Sequence, residues 1–242
     1  MRLLTIATLV CVILLYAPSA GAQEQGGRKL FGGFGGFMIG GQLTDISQLN
    51  QHLTAANYTK FSDQFYSVGG AGYGILNNFI IGGEGHALVG RNGDNTSRTH
   101  QTTLNGGSGA FNMGYIIYAH KYYWLYPYIG IGGETISLKI RSRENPPFDD
   151  VLTNPNRSST LNTSGMILTA GLGWDYLFNF SHNEKHFGGL GIGIRFGYTY
   201  TLFKEAWQLN GADIGSGPDI SITGPFVRML IGGGGISKKR AP

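Results

Sequence analysis

The sequence predicts an all-β fold, an eight-stranded antiparallel up-and-down transmembrane β-barrel. Three observations carry the prediction: long segments in which large apolar residues alternate with small or polar ones, an export-type N-terminus, and connections that alternate between long and short. The clearest alternation runs from about Phe187 to Phe203. Leu190, Ile192, Ile194, Phe196, Tyr198, Tyr200 and Leu202 form one face, and Gly189, Gly191, Gly193, Arg195, Gly197, Thr199 and Thr201 form the other. A second strand keeps the same phase, with Met166, Leu168, Leu172, Trp174 and Tyr176 opposed to Thr169, Gly171, Gly173 and Asp175. Both exceed the 9–11 tilted residues that cross a bilayer.

The N-terminus has the layout of a secretory signal peptide over 1–22: Arg2, an apolar run from Leu3 to Tyr16, and the small-residue pattern Ala20-Gly21-Ala22 before Gln23. Such a leader implies Sec export. The single cysteine, Cys11, lies inside that run, so the mature chain is expected to carry no disulfide or cysteine-based metal site. No later stretch has the roughly 18 continuous apolar residues of a helical span, so membrane entry requires closed β-structure. Forty-one glycines stand beside 13 Tyr and 14 Phe with 13% charged residues, which excludes a disordered chain, and the glycines lack collagen's period of three. A net charge of +4, scattered along the chain, does not favour nucleic acid.

Six further strands are expected near 30–41, 64–76, 78–90, 102–118, 122–140 and 222–236. After a short segment 23–29, the barrel domain is drawn as 30–236, and 237–242 as a basic tail. In 122–140 the apolar phase passes from Ile129 and Ile131 to Ile136, Leu138 and Ile140, which reads as a β-bulge near Gly132-Gly133-Glu134. Residues 42–63, 91–101, 141–161 and 204–221 read as long polar loops. Asn77-Asn78, the stretch around Ala119–Lys121 and 181–186 read as short turns, so the long loops all fall on one side, as in bacterial outer-membrane barrels. In the first loop, Ile46, Leu49 and Leu53 follow Thr44 or Asp45 as cap, predicting a short amphipathic helix that fills the loop rather than covering the barrel mouth.

Tyr122, Tyr123, Trp124, Tyr126 and Tyr128, with Trp174, Tyr176, Phe178 and Phe180, gather at the expected periplasmic rim, where an aromatic girdle belongs. With the apolar faces outward, Glu84, His86, Glu134, Lys139, Asp175, Arg195 and Arg228 project inward. An eight-stranded lumen is just wide enough to be filled by side chains, so Glu84, His86, Glu134, Asp175, Arg195 and Arg228 are expected to form an internal ion-pair network.

The leader, the glycine- and aromatic-rich strands and the closing segment Gly224-Pro225-Phe226-Val227-Arg228-Met229-Leu230-Ile231-Gly232 resemble the small outer-membrane β-barrel proteins of the OmpA/OmpX-like class, with the glycine-rich flavour of the barrel-domain proteins of the Bacteroidota. The resemblance implies a location in the outer membrane of a Gram-negative cell, contact with bilayer lipid and lipopolysaccharide, and assembly by the barrel-assembly machinery. Many members end on an aromatic residue, whereas this chain continues through Lys238, Lys239 and Arg240 to Pro242.

The leading expectation is a structural or surface-interaction barrel with a plugged polar interior and an extracellular partner of unspecified kind. The alternative is a narrow porin-like pathway for ions or small solutes. A lipid A-modifying enzyme ranks third: the acyl-hydrolase members place His and Ser two apart on a strand, and no histidine here has serine at that spacing. No catalytic residue, cofactor or metal is expected, since no His/Asp/Glu cluster has ligand spacing.

Overall fold

A computed structural model of the protein describes residues 28–94, 99–120, 122–144, 146–153, 158–178, 186–209, 211–215 and 217–240. The expected leader with Cys11, as well as Lys121, Phe180 and most of the turn at 181–186, lies outside the described residues. Eight long strands form the wall: β1 (Arg28–Leu43), β2 (Gln64–Leu76), β3 (Phe79–Asp94), β4 (His100–Tyr115), β6 (Tyr123–Ser142), β7 (Ser158–Leu177), β8 (His186–Lys204) and β11 (Gly224–Arg240). Three short pieces, β5 (Tyr118–His120), β9 (Gln208–Leu209) and β10 (Ala212–Asp213), decorate it. Every pairing is antiparallel, and the order β7-β8-β11-β1-β2-β3-β4-β6 closes through β6 onto β7. Closure leaves the wall without an unpaired edge, which the interior of a bilayer demands.

The strands are longer than the apolar alternation suggests. Residues 91–94, 100–101, 141–142 and 158–161, expected as loop, continue the ladders of β3, β4, β6 and β7. These stretches are almost wholly polar in sequence, which hides the two-residue period from a hydropathy reading, yet paired backbone needs no apolar face above a membrane. β11 likewise runs through the expected tail, its backbone pairing Arg240 with Arg28. Asn77 and Asn78 form the two-residue β2–β3 turn with φ of 60° and 72°, the left-handed pair a tight hairpin requires. Gly224 has a φ of 155°, and a Cβ there would stand 1.8 Å from the Leu43 carbonyl oxygen, so only glycine fits where β11 begins beside β1.

Alternation places one face of each strand outside. Phe37, Phe79, Phe111, Met113, Ile129, Ile131, Leu190, Phe196 and Val227 are exposed, Leu190 at 63% and Val227 at 60%, an apolar area far larger than a water-facing surface carries. Their neighbours in sequence point into the lumen. β6 corrects the expected phase slip, because its register with β4 and β7 is unbroken from Tyr123 to Ser142. Trp124, Tyr126, Tyr128, Glu134, Ile136 and Leu138 therefore all face inward, and Lys139, expected inside, is exposed on the outer face. The apparent slip reflects a change in the lumen, which is apolar again above Glu134. The register shifts fall elsewhere, on β3–β4 between Val89 and Asn92 and on β7–β8 beside Met166.

The connection after β1 carries helix α1 (Ser47–Ala55), and that after β6 carries α2 (Phe148–Thr153). Asp45 accepts the Ser47 N–H at 3.0 Å, and this bond with the Ser47 hydroxyl holds its carboxyl below the usual range. Asn50 clamps Phe61 from both sides, donating to its carbonyl at 3.0 Å and accepting its N–H at 2.8 Å.

Candidate functional site

The lumen is packed in three layers. At the end that holds the Asn77-Asn78 turn, Leu30, Phe34, Tyr73, Ile80, Trp124 and Tyr126 form an aromatic floor. Phe34 packs edge-on against Trp124 with ring centroids 6.1 Å apart, and Tyr73 lies 5.7 Å from Tyr126. Glycines of β7 and β8 make room for these rings. A Cβ at Gly173 would stand 2.3 Å from the Tyr126 ring, and one at Gly191 2.7 Å from Phe34.

Above the floor lies a polar layer. Glu84 on β3 accepts one hydrogen bond per carboxylate oxygen, from Arg195 of β8 at 3.1 Å and from Arg228 of β11 at 3.0 Å, and the side chains in both ion pairs are nearly fully buried. His86 projects from the same strand face, its Nε2 3.7 Å from Glu84. The guanidinium of Arg195 lies 5.5 Å from the Tyr73 ring and 5.9 Å from Tyr128, and Arg228 lies 4.0 Å above Phe226, so each buried cation also faces an aromatic quadrupole. Asp175 belongs to a separate branch: it accepts the Tyr73 hydroxyl at 2.5 Å, and that hydroxyl accepts the Trp124 indole N–H at 2.9 Å.

Glu134 is not paired with either arginine. Its carboxylate accepts the backbone N–H of Ile222 at 2.9 Å, while Gln42 donates to the Ile222 carbonyl and accepts from Arg228 at 3.0 Å. One residue of the β8–β11 connection is thus gripped at both backbone polar atoms by wall side chains, and Gln42 links that grip to Glu84 through Arg228. The expected single network divides into a central Arg195–Glu84–Arg228 cluster, a lower Asp175 branch and an upper Glu134 latch.

The latch holds a roof. Leu49 and Leu53 of α1 are buried with Ile46, Phe61, Trp207, Ile220 and Ile222 against the wall residues Leu88, Leu104, Ile136 and Leu138. Helix α1 therefore covers the mouth rather than merely filling its loop, because its apolar face meets an apolar upper lumen. Gln48 of α1 accepts the Asp219 N–H at 3.0 Å, and Asp219 pairs with Lys204 at the rim. Between roof and wall a cavity of about 10 Å³ remains, lined by Ile46, Phe65, Leu88, Ile136, Ile220 and Ile222, no more than one water would need. Gln42→Leu is expected to loosen this grip, leaving the Ile222 carbonyl and an Arg228 N–H unpartnered at a cost of about 1–3 kcal/mol. Urea midpoints followed by unboiled gel mobility measure the loss.

The expected girdle also divides. Tyr123 lies on the outer face, 5.8 Å from Tyr118 and 6.5 Å from Trp174, while Tyr176 stands 5.0 Å from Phe178. Tyr122 is half-buried at the same rim, and its carbonyl accepts the Leu177 N–H at 2.7 Å. Trp124, Tyr126 and Tyr128 do not belong to that ring. They are 2%, 1% and 5% exposed and fill the lumen, because even-numbered residues of β6 face inward throughout.

Gln42, Tyr73 and Trp207 escaped the sequence reading. Gln42 and Tyr73 keep the inward phase of their own strands, a signal available once that phase is extended to the strand ends. Trp207, whose indole donates to the Pro218 carbonyl at 2.8 Å, lies in a loop with no period to reveal it.

No protein-family model and no curated protein sequence matches the chain. Among solved structures the chain is similar to Ail, the attachment invasion locus protein of Yersinia pestis, at 11% identity and a TM-score of 0.42 over 88% of this chain and 99% of that one. It is also similar to the outer membrane protein OprG from Pseudomonas aeruginosa, at 10% identity and 0.34 over 89% and 98% of the two chains. A third likeness is to the outer membrane protease OmpT from Escherichia coli, at 9% identity and 0.31 over 88% and 96%. By its own strand pairing and outward apolar faces, the chain is an eight-stranded antiparallel up-and-down barrel of the transmembrane type, with a filled lumen and a covered mouth.

Proposed function

We propose that the protein is an integral outer-membrane barrel that does not conduct, and that it serves a structural or surface-contact role through the roof and hairpins above its lipid belt. The sealing of the lumen in three layers carries this reading. A water path would need Arg195 and Arg228 to leave Glu84, the floor rings to part and the roof to lift, and exposing a buried charge to a lost partner costs about 3–5 kcal/mol by itself. The outward apolar belt and the export-type leader support the location.

The polar middle layer is the one observation that favours the second reading, a narrow pathway. Expression with the leader, membrane fractionation, electrophoresis with and without boiling, and planar-bilayer recording test both. The expected result is an outer-membrane species whose mobility changes on heating and which gives no conductance steps. A soluble, heat-indifferent protein overturns the membrane reading, and discrete conductance that Arg195→Ala and Arg228→Ala alter establishes the pathway instead.

A further inference from the structure

The unbroken register of β6 turns Lys139 outward, and Arg141 with it, two residues apart on one strand face. Their neighbours across the ladders are Thr103 and Thr160 beside Lys139, and Gln101 and Ser158 beside Arg141. Arg141 donates from Nε at 2.9 Å and from a terminal nitrogen to the Gln101 amide oxygen, which orients the guanidinium without neutralising it. None of these six residues is acidic. Among the described residues, Asp94 pairs through its backbone with Gln101 from one strand further on, and Glu144 lies past the end of β6.

The height of this face decides what it meets. On β6 the apolar belt ends after Ile131, and Gly133, paired with Met166, marks its upper limit. Lys139 is six residues higher, about 20 Å along a strand and about 15 Å in height at the usual barrel tilt. A phospholipid headgroup layer is only about 5–8 Å deep, so a phospholipid anchored against Ile129 and Ile131 leaves this face above it. On the β11–β1–β2 side, by contrast, exposed Leu43, Tyr66 and Val227 carry the apolar surface to the strand ends.

We propose that the outer face of β4, β6 and β7 around Lys139 and Arg141 binds the phosphorylated saccharide headgroup of an outer-leaflet glycolipid. This rests on the outer-membrane reading above. The two cations, about 7 Å apart along the strand, take phosphate oxygens. The flanking hydroxyls of Ser158 and Thr160 and the amide N–H groups of Gln101 take sugar hydroxyls, and the acyl chains lie on the belt below. The arrangement is a lateral site on the wall, separate from the lumen and the roof.

The full-length barrel and its Lys139→Gln, Arg141→Gln variant, both refolded in detergent, are titrated with three probes followed by native mass spectrometry. The probes are lipopolysaccharide with a phosphorylated core, the same material after enzymatic dephosphorylation, and phosphatidylglycerol. The expected result is association with the phosphorylated form that the double variant weakens about twenty-fivefold, at about fivefold per cation near an anionic surface, and that dephosphorylation weakens comparably. Phosphatidylglycerol is expected to bind wild type and variant alike. Equal affinity of both proteins for the phosphorylated glycolipid overturns the site, as does a loss of phosphatidylglycerol binding as large as that of glycolipid. Both side chains are exposed, so the heat-dependent gel shift of the variant is expected to match wild type. If neither protein shows that shift, the membrane reading itself fails, an outcome distinct from failure of the site.

Discussion

Replacing Glu84 by alanine is expected to lower the stability of the barrel by about 3–5 kcal/mol, because the change leaves two buried guanidinium groups without their shared anion. Arg195 and Arg228 reach Glu84 from different strands, at 3.1 and 3.0 Å, so the carboxylate ties β3 across the lumen to β8 and β11. Its loss also turns attraction into repulsion between like charges in a low-dielectric interior. Urea titration of the barrel in detergent, read as the fraction keeping unboiled mobility, measures the effect. The combination Glu84→Leu, Arg195→Met, Arg228→Met is expected to regain most of the loss, since apolar side chains of similar volume commonly replace buried ion pairs at little cost. A Glu84→Ala midpoint equal to wild type would show that the three charges are solvated, and with them the sealed lumen would fall.

The wall was legible in the sequence because its physics is local. On β8, Leu190 to Leu202 declare one face and Gly189 to Thr201 the other, and the structure places them outside and inside as the alternation implies. The same logic put Glu84, His86, Glu134, Asp175, Arg195 and Arg228 on the inner face, where all six are buried. Alternation does not report what a lumen residue meets across the barrel, since that depends on stagger between strands distant in sequence. Alternation alone therefore groups Glu134 with the arginines, although its partner is the Ile222 backbone.

β6 misled for a related reason. It is apolar on both faces near Tyr126 and Ile129, then apolar only inward at Ile136 and Leu138, so a change in surroundings looks like a change in phase. The roof was the hardest part to foresee. Leu49 and Leu53 announce an amphipathic helix, but its partners Trp207, Ile220 and Ile222 come from a loop more than 150 residues away, and no spacing rule joins the two.

The glycines give the largest contrast between neighbouring positions. Gly173→Val is expected to prevent the barrel from reaching its heat-modifiable form, whereas Gly72→Val is expected to leave it intact. At Gly173 a Cβ would stand 2.3 Å from the Tyr126 ring, and that ring is hemmed in by Tyr73 at 5.7 Å and Tyr128 at 6.1 Å. Overpacking commonly costs about 1–3 kcal/mol where neighbours can shift. Here the neighbours belong to the same stack, so the cost lies at or above that range. Gly193→Val is expected to fail in the same way, its Cβ falling 1.9 Å from the Asp175 carboxylate that receives the Tyr73 hydroxyl. Gly72 faces outward, and a Cβ there would meet nothing within 4 Å. Valine at that position adds strand preference worth up to about 1 kcal/mol and an apolar contact with lipid. Refolding yields into detergent, read by unboiled mobility, separate the cases. Comparable yields for Gly173→Val and Gly72→Val would mean that the lumen has room for another side chain, and a lumen with that room is not sealed by its floor.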